Sequence, residues 1–311
     1  DDDEHLRREL KADTREVYMS PAKGFARHLS DVSDNVATDL DEFGVGRRWG
    51  TTGIHWHYTY HPLQHLELDD YEFPNIDAPG RFDRAREQIE QWKGEYAVIG
   101  ASRIGLLDHG FALRGFREFI QDLYTRPTFV DRLLDKLLDW KIEVGKRLIE
   151  LGVDIIGVGD DLGTQTGLII SPQLWQKYFK ERCRRWLREF KKRGVFVDFH
   201  SDGKMESLIP DLIEFGVDIL NPVQPECMDP AELKRLYGDK LTFMGTISVQ
   251  KTMPFGTRED VREEVLTRLR TVGRGGGLIL WPRIIQIDVP PENVEEFYTT
   301  ATKYGTYPLK I

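Results

Sequence analysis

Cysteine is almost absent from this chain. Among its 311 residues only Cys183 and Cys227 carry thiols, too few for a disulfide framework, and a reducing, cytoplasmic setting is expected. Long apolar runs are missing as well. The longest are strand-sized, so neither a membrane span nor a signal peptide is expected. Positive charge is not in excess, the formal net charge being -9. That argues against a nucleic-acid surface, because phosphate binding needs clustered Lys and Arg. The basic runs Lys180–Arg188 and Lys191–Arg193 are interleaved with apolar residues and read as a solvated helix face rather than a docking site for an acidic partner. No GxGxxG follows a strand-like segment, so the glycine loop that cradles a nucleotide's phosphates is missing too.

What is present is a rhythm. The second half alternates amphipathic helix, glycine, short β-branched strand and polar loop, and "LIELGVDIIGVGDD" (Leu148–Asp161) nearly repeats as "LIEFGVDILNPVQP" (Leu212–Pro225). Gly152 and Gly216 stand where a helix C-terminus needs a left-handed residue. Strands are predicted at Arg15–Ser20, Tyr96–Ser102, Asp154–Gly159, Val195–His200, Ile219–Val223, Leu241–Gly245 and Leu278–Trp281. Strands separated by helical crossovers make a parallel sheet. The predicted fold is therefore α/β, one (β/α)8 TIM barrel domain over residues 1–311 with its first strand upstream of residue 1. The opening "DDDEHLRREL", without Met, fits a chain that starts inside a helix. A doubly wound sheet is the alternative. Glu42–Arg81 breaks the rhythm. It is turn-rich and aromatic, and is predicted as a β-hairpin insertion over one mouth of the barrel, with His55, His57 and His61 structural rather than metal-binding.

In a parallel barrel the loops after the strand C-termini share one mouth, so polar residues there are the candidates for chemistry. Arg103 follows the second predicted strand, Asp160 and Asp161 the third, His200 and Asp202 the fourth, Gln224 and Cys227 the fifth, and Arg283 with Gln286 the last. Asp160 and Asp161 lie too far upstream of Ser171 to serve its helix, where Ser171 itself is the expected N-cap. Gln165 in the same loop offers both a donor and an acceptor. "VDFHSDGK" (Val197–Lys204) ends a strand in His200 and Asp202. A neighbouring imidazole and carboxylate tune each other toward neutral pH, which suits acid–base work. They could equally hold a divalent ion with Cys227 as a third ligand, or Asp202-Gly203 could be a plain turn capping the helix from Met205. Arg283 and Gln286 are placed to hold a carboxylate or amide, and Cys183 reads as a core thiol.

These strand ends carry a resemblance. The runs "GDDLGTQTGLIISPQLWQKYF", "FHSDGKMESLIPDLIEFGVDILNPVQPECMD", "FMGTISVQKTMPFGT" and "DVPPENVEEFYTTATKYGTY" occur in an order that resembles the uroporphyrinogen decarboxylase superfamily. From Ala12 onward the chain is similar to its decarboxylase-like branch, which shares one barrel with corrinoid-dependent methyltransferases. Where porphyrinogen chemistry would sit, the likeness fails. The arginine-rich motif of the first strand would precede Asp1, "VYMSPA" ends without an aspartate, and Trp281-Pro-Arg-Ile-Ile lacks a histidine. Zinc-dependent methyltransferase relatives use a His-x-Cys pair and a later cysteine. Here His200 matches the histidine, Asp202 replaces the first cysteine, and Ile284 stands near the second.

The resemblance implies a methyltransferase that moves a methyl group from a small O-, N- or S-methylated substrate to a separate corrinoid protein. His200, Asp202, Asp160 and Asp161 would protonate the departing atom. Gln165, Gln224, Arg103, Arg283 and Gln286 would bind substrate, with a divalent metal such as zinc at His200, Asp202 and Cys227 as an optional cofactor. A decarboxylase or other lyase acting on a carboxylated ring, with Arg283 or Arg103 as clamp, is the first alternative. A non-catalytic ligand-binding barrel is the second, and a homodimer is expected by the same likeness.

Overall fold

The two near-identical "GVDI" segments explain how the strands are started. In each, a helix ends at a glycine in the left-handed region, Gly152 at φ 101° and Gly216 at φ 101°, where a Cβ would be strained. The aspartate that follows then bonds the preceding strand twice. Asp154 donates its N–H to the Val98 carbonyl at 2.9 Å and accepts the Val98 N–H on its carboxylate at 2.9 Å. Asp218 does the same to Val197, at 2.9 and 2.8 Å. A side chain thus supplies the first rung of each strand pair, so the repeat keeps its aspartate for register rather than for chemistry.

The computed structural model describes residues 2–25, 39–49, 56–103, 105–282 and 288–311. Its strands in chain order are β1 (Thr14–Tyr18), β2 (Asp39–Leu40), β3 (Gly46–Trp49), β4 (Trp56–Tyr60), β5 (Ala97–Ser102), β6 (Ile155–Gly159), β7 (Phe196–His200), β8 (Ile219–Val223), β9 (Thr242–Thr246) and β10 (Leu278–Trp281). β1 and β5 to β10 form one seven-stranded sheet in chain order, with parallel pairing in β5/β6, β7/β8, β8/β9 and β9/β10. Helices separate the sheet strands from β5 onward. This is the α/β class and the strand–helix alternation of a (β/α) barrel, and each predicted strand is found within two residues of its predicted bounds.

The insertion is a three-stranded antiparallel ribbon, β2-β3-β4. It begins before Glu42 and its strands end at Tyr60, the remainder being turns and a 3-10 turn at Pro62–Gln64. A buried fork closes it, since Arg81 donates to both Glu42 carboxylate oxygens at 2.6 and 2.9 Å. His57 is exposed. His61 Nδ1 lies 2.8 Å from the Ala112 carbonyl, a structural role, while His55 lies outside the described residues.

The chain packs as two compact units. Asp1–Arg15, Asp161–Ile170 and Phe196–Ile311 make the first, and Glu16–Asp160 with Ser171–Val195 the second. The first has a core of Ile247, Met253, Val261, Val265, Leu269 and Phe297. In the second, the helix Pro127–Leu151 lies against the helix Lys180–Lys191 so closely that a Cβ on Gly145 would sit 2.2 Å from Phe190 Cζ. Arg182 pairs there with Asp131 and Asp135, and Arg185 with Asp139. Part of the basic run therefore meets its acids on the neighbouring helix. Among the described residues no helix is long and apolar enough to cross a membrane.

Replacing Asp218 by Ala leaves the Val197 N–H without its acceptor. Urea denaturation is expected to show a loss of about 1–3 kcal/mol, and a smaller loss for Asp218→Asn, whose amide oxygen can still accept.

Candidate functional site

Two loops of the first unit cross after β6 and β7, and glycine permits the crossing. A Cβ on Gly163 would lie 2.7 Å from the Asp202 carbonyl oxygen, and one on Gly203, at φ 82°, would lie 2.4 Å from the Gly163 carbonyl carbon. Bonds then stitch the loops together. Leu162 N–H donates to Ser201 Oγ at 3.1 Å, Lys204 N–H to the Thr164 carbonyl at 2.7 Å, and Asp202 N–H to Asp161 Oδ1 at 2.9 Å. A turn held by Thr164, whose hydroxyl donates to the Gly167 carbonyl at 2.9 Å, returns the first loop.

The crossing brings two carboxylates to one imidazole. His200 ends β7 with its ring buried, and its Nε2 stands 3.8 Å from Asp161 Oδ1 and 4.0 Å from Asp202 Oδ2. One ligand atom from each residue lies within 4.8 Å of the other two. Both acids are partly exposed, so the group combines a fixed base with solvent-reachable carboxylates. One nitrogen and two oxygens at this spacing can share a proton or hold a divalent cation. Met205, the N-cap residue of the next helix's first turn, makes no side-chain cap.

Cys227 is not part of this cluster. Its Sγ lies 3.4 Å from Gln165 Oε1 and 3.6 Å from Gln224 Oε1, and Gln224 Oε1 also accepts the Gly203 N–H at 2.7 Å. Burial pushes the Cys227 thiol up, and the Glu226 and Asp202 charges push it further. The expected ligand set is His200, Asp202 and Cys227; the ligand atoms that lie within 4.8 Å of one another are those of Asp161, His200 and Asp202, and the Cys227 thiol stands beside two amides. Arg283 and Gln286 lie outside the described residues.

The sequence pattern described as uroporphyrinogen decarboxylase (URO-D) matches residues 88–304, most of the chain. The chain belongs to the URO-D family. It is 23% identical to uroporphyrinogen decarboxylase of Vibrio cholerae over 296 residues, covering 91% of this chain and 80% of the relative. It is 22% identical to methylcobamide:CoM methyltransferase MtaA of Methanosarcina barkeri over 189 residues, 60% of this chain and 53% of that one. Among solved structures, a methyltransferase from Methanosarcina mazei has the same fold, with a TM-score of 0.71 at 16% identity over 97% of this chain and 84% of that one.

In this URO-D chain Asp160 does something other than its neighbour. It is buried in the second unit, and its carboxylate accepts the N–H groups of Leu107 and Asp108 at 2.8 and 3.0 Å. It therefore caps the helix Leu106–Arg114, whose own N-cap, Gly105, has no side chain. A Cβ on Gly105 would lie 2.0 Å from the Asp160 carboxylate, so the glycine leaves the space that the carboxylate fills. Arg103 donates to Glu16 at 2.8 Å, so its guanidinium is engaged within the same unit.

Two groups of groups escaped the sequence reading. In the second unit Lys141, fully buried, has its Nζ 3.0 Å from His109 Nδ1. Burial pushes the Lys141 ammonium down to about 7, against the opposing charges of Asp160 and Asp108. Burial and then the Lys141 charge, with Arg47 behind it, hold His109 well below the usual imidazole range. No periodicity marks this pair. In the first unit Asp198 and Asn221 are fully buried on β7 and β8. A signal for Asp198 existed: in "VFVDFH" it alternates with Val197 and Phe199 and so shares a face with His200.

Gly203→Ala is expected to cost about 1–3 kcal/mol in urea denaturation, because neither its φ nor the crossing tolerates a methyl group. For Lys141 the folded state binds fewer protons than the unfolded chain between about pH 7 and the unfolded value of about 10.4. This group's contribution to stability therefore rises with pH across that window and is level below it. Lys141→Met is expected to flatten the rise in denaturation midpoints measured between about pH 7 and about pH 10.

Proposed function

We propose that this chain is a methyltransferase of the URO-D superfamily that passes a methyl group from a small O-, N- or S-methylated substrate to the cobalt of a separate corrinoid protein. The observation that carries the reading is the group of one imidazole and two carboxylates formed by Asp161, His200 and Asp202. In such a transfer the bond between methyl carbon and heteroatom breaks, its electron pair stays on the heteroatom, and cobalt(I) supplies the pair for the new cobalt–carbon bond. An ether or thioether would leave as an anion unless protonated. A proton shared between His200 Nε2 and the two acids supplies that need. Gln165 and Gln224 offer the neighbouring amides for substrate binding, and the cytoplasmic setting expected from the cysteine count suits a reduced cobalt.

A divalent ion fits the same residues. Carboxylate and imidazole donors suit zinc or a comparable first-row ion, with Asp161, His200 and Asp202 holding it, whereas the Cys227 thiol is protonated and turned to the glutamines. Bound there, the ion would supply Lewis-acid polarisation of the departing atom. The likeness to a methylcobamide:CoM methyltransferase supports methyl transfer. The longer match to the decarboxylases favours a second reading, a carboxy-lyase acting on a carboxylated ring.

Purified protein mixed with cob(I)alamin and a panel of methyl ethers, methylamines and methyl thioethers is expected to yield methylcobalamin with at least one donor. His200→Ala should slow that reaction on the order of 100-fold. Methylcobalamin from none of the donors, together with carbon dioxide release from a tetrapyrrole or aromatic acid, would replace the first reading by the second.

A further inference from the structure

Two glutamines beside the Asp161, His200 and Asp202 group spend the same end of their amides on the protein itself. Gln224 follows β8, and its Oε1 accepts the N–H of Gly203, the residue after Asp202, at 2.7 Å. A backbone N–H only donates, so the arm that meets it is the carbonyl. Gln165 stands in the turn closed by Thr164, whose hydroxyl donates to the Gly167 carbonyl at 2.9 Å and accepts the Gly167 N–H at 3.2 Å. Its Oε1 lies 3.4 Å from Cys227 Sγ, and the same sulfur lies 3.6 Å from Gln224 Oε1.

A thiol has one proton to give. Cys227 offers it to two amide oxygens and so draws the carbonyl arms of both glutamines to one point. Each amide carries its NH2 on the other arm, which this arrangement turns away from the sulfur. Both side chains make their hydrogen bonds through Oε1, so among the described residues the NH2 groups are left for another acceptor. Gln165 is exposed and Gln224 half-buried, within reach of a ligand from solution. The charges acting on Cys227 are of mixed sign, Asp202 and Glu226 against Lys204. Glu226 is itself engaged, since the Ser248 hydroxyl donates to its Oε1 while its Oε2 is shut off from solvent.

We infer that Gln165 and Gln224 are specificity-determining residues that select an oxygen-linked methyl donor, a methyl ether, by donating from their amide nitrogens to its oxygen. The inference rests on the proposed methyl transfer and names which of its three donor classes the site takes. An ether oxygen only accepts, which matches two donor arms. A protonated methylamine presents only N–H donors and would meet the NH2 groups donor to donor. A thioether sulfur accepts weakly. Polar groups set out to pair with a ligand discriminate sharply, because the wrong ligand leaves them unpaired.

The test uses the full chain and three probes that differ only in the linking atom: benzyl methyl ether, benzyl methyl sulfide and N-methylbenzylammonium. Dissociation constants are read from NMR titrations at neutral pH. The ether is expected to bind on the order of 10-fold more tightly than either other probe. Gln224→Glu keeps an oxygen for the Gly203 N–H, and Gln165→Glu keeps one for the Cys227 thiol, so both variants preserve the loop contacts and remove the donor arm. Each should weaken ether binding about 10-fold and move the preference toward the ammonium. A wild type that binds the sulfide or the ammonium as tightly as the ether, or binds none of the three, would overturn the inference. So would ether binding that either variant leaves unchanged. Methylcobalamin formed from methylamines or thioethers alone would leave methyl transfer standing and overturn the donor class. Ether binding that depends on both glutamines, with no methylcobalamin from any donor, would do the reverse.

Discussion

Gly163 and Gly203 approach so closely that a methyl group on either would overlap the other's backbone, and the geometry of the candidate site follows from that approach. Asp161 and His200 are far apart in sequence. They meet because the loops after β6 and β7 cross at these glycines and are then joined by the bonds from Leu162, Lys204 and Asp202. The bond from Asp202 N–H to Asp161 is the informative one. It makes one acid fix the backbone that carries the other, so neither carboxylate is placed independently. The crossing sets both carboxylates beside one imidazole while leaving them partly exposed.

The adjacent pair Asp160-Asp161 shows how a single residue step separates structure from candidate chemistry. Backbone alternation sends their side chains opposite ways. Asp160 goes inward to a helix N-terminus that lacks a side-chain cap of its own, and there a buried carboxylate is satisfied by two N–H groups. Asp161 goes to the loop crossing and stays partly exposed. Their place at a strand end made both acids candidates for chemistry. That Asp160 caps a helix while Asp161 stands at the loop crossing depended on Gly105, more than fifty positions earlier in the chain, and on Gly203.

Replacement of thiolate by carboxylate gives the site its chemical character. The resemblance to zinc-dependent methyltransferases would put a cysteine where Asp202 stands, and the remaining nearby thiol, Cys227, is held by Gln165 and Gln224 with its proton retained by burial. Hard oxygen donors and one imidazole favour proton sharing or a divalent ion bound without sulfur. Asp198 and Asn221 are fully buried polar residues on β7 and β8. Buried polar groups are retained at a cost in stability, and here they sit next to the one histidine of the cluster.

Local sequence determined the elements. Glycines after amphipathic helices, β-branched runs and the duplicated "GVDI" marked all seven sheet strands and the parallel α/β class, because helix ends and strand periods are set by neighbours a few residues away. Motif order was enough to place the chain in its family, and scarce cysteine left a disulfide scaffold out of account. Partnerships between distant side chains belonged to the tertiary structure alone. The cap that Asp160 provides, the contacts of Cys227 with Gln165 and Gln224, and the Lys141–His109 contact all depend on distances between segments that share no local pattern. A hydrogen bond is made or lost within about half an ångström, and only the packed chain defines positions that finely.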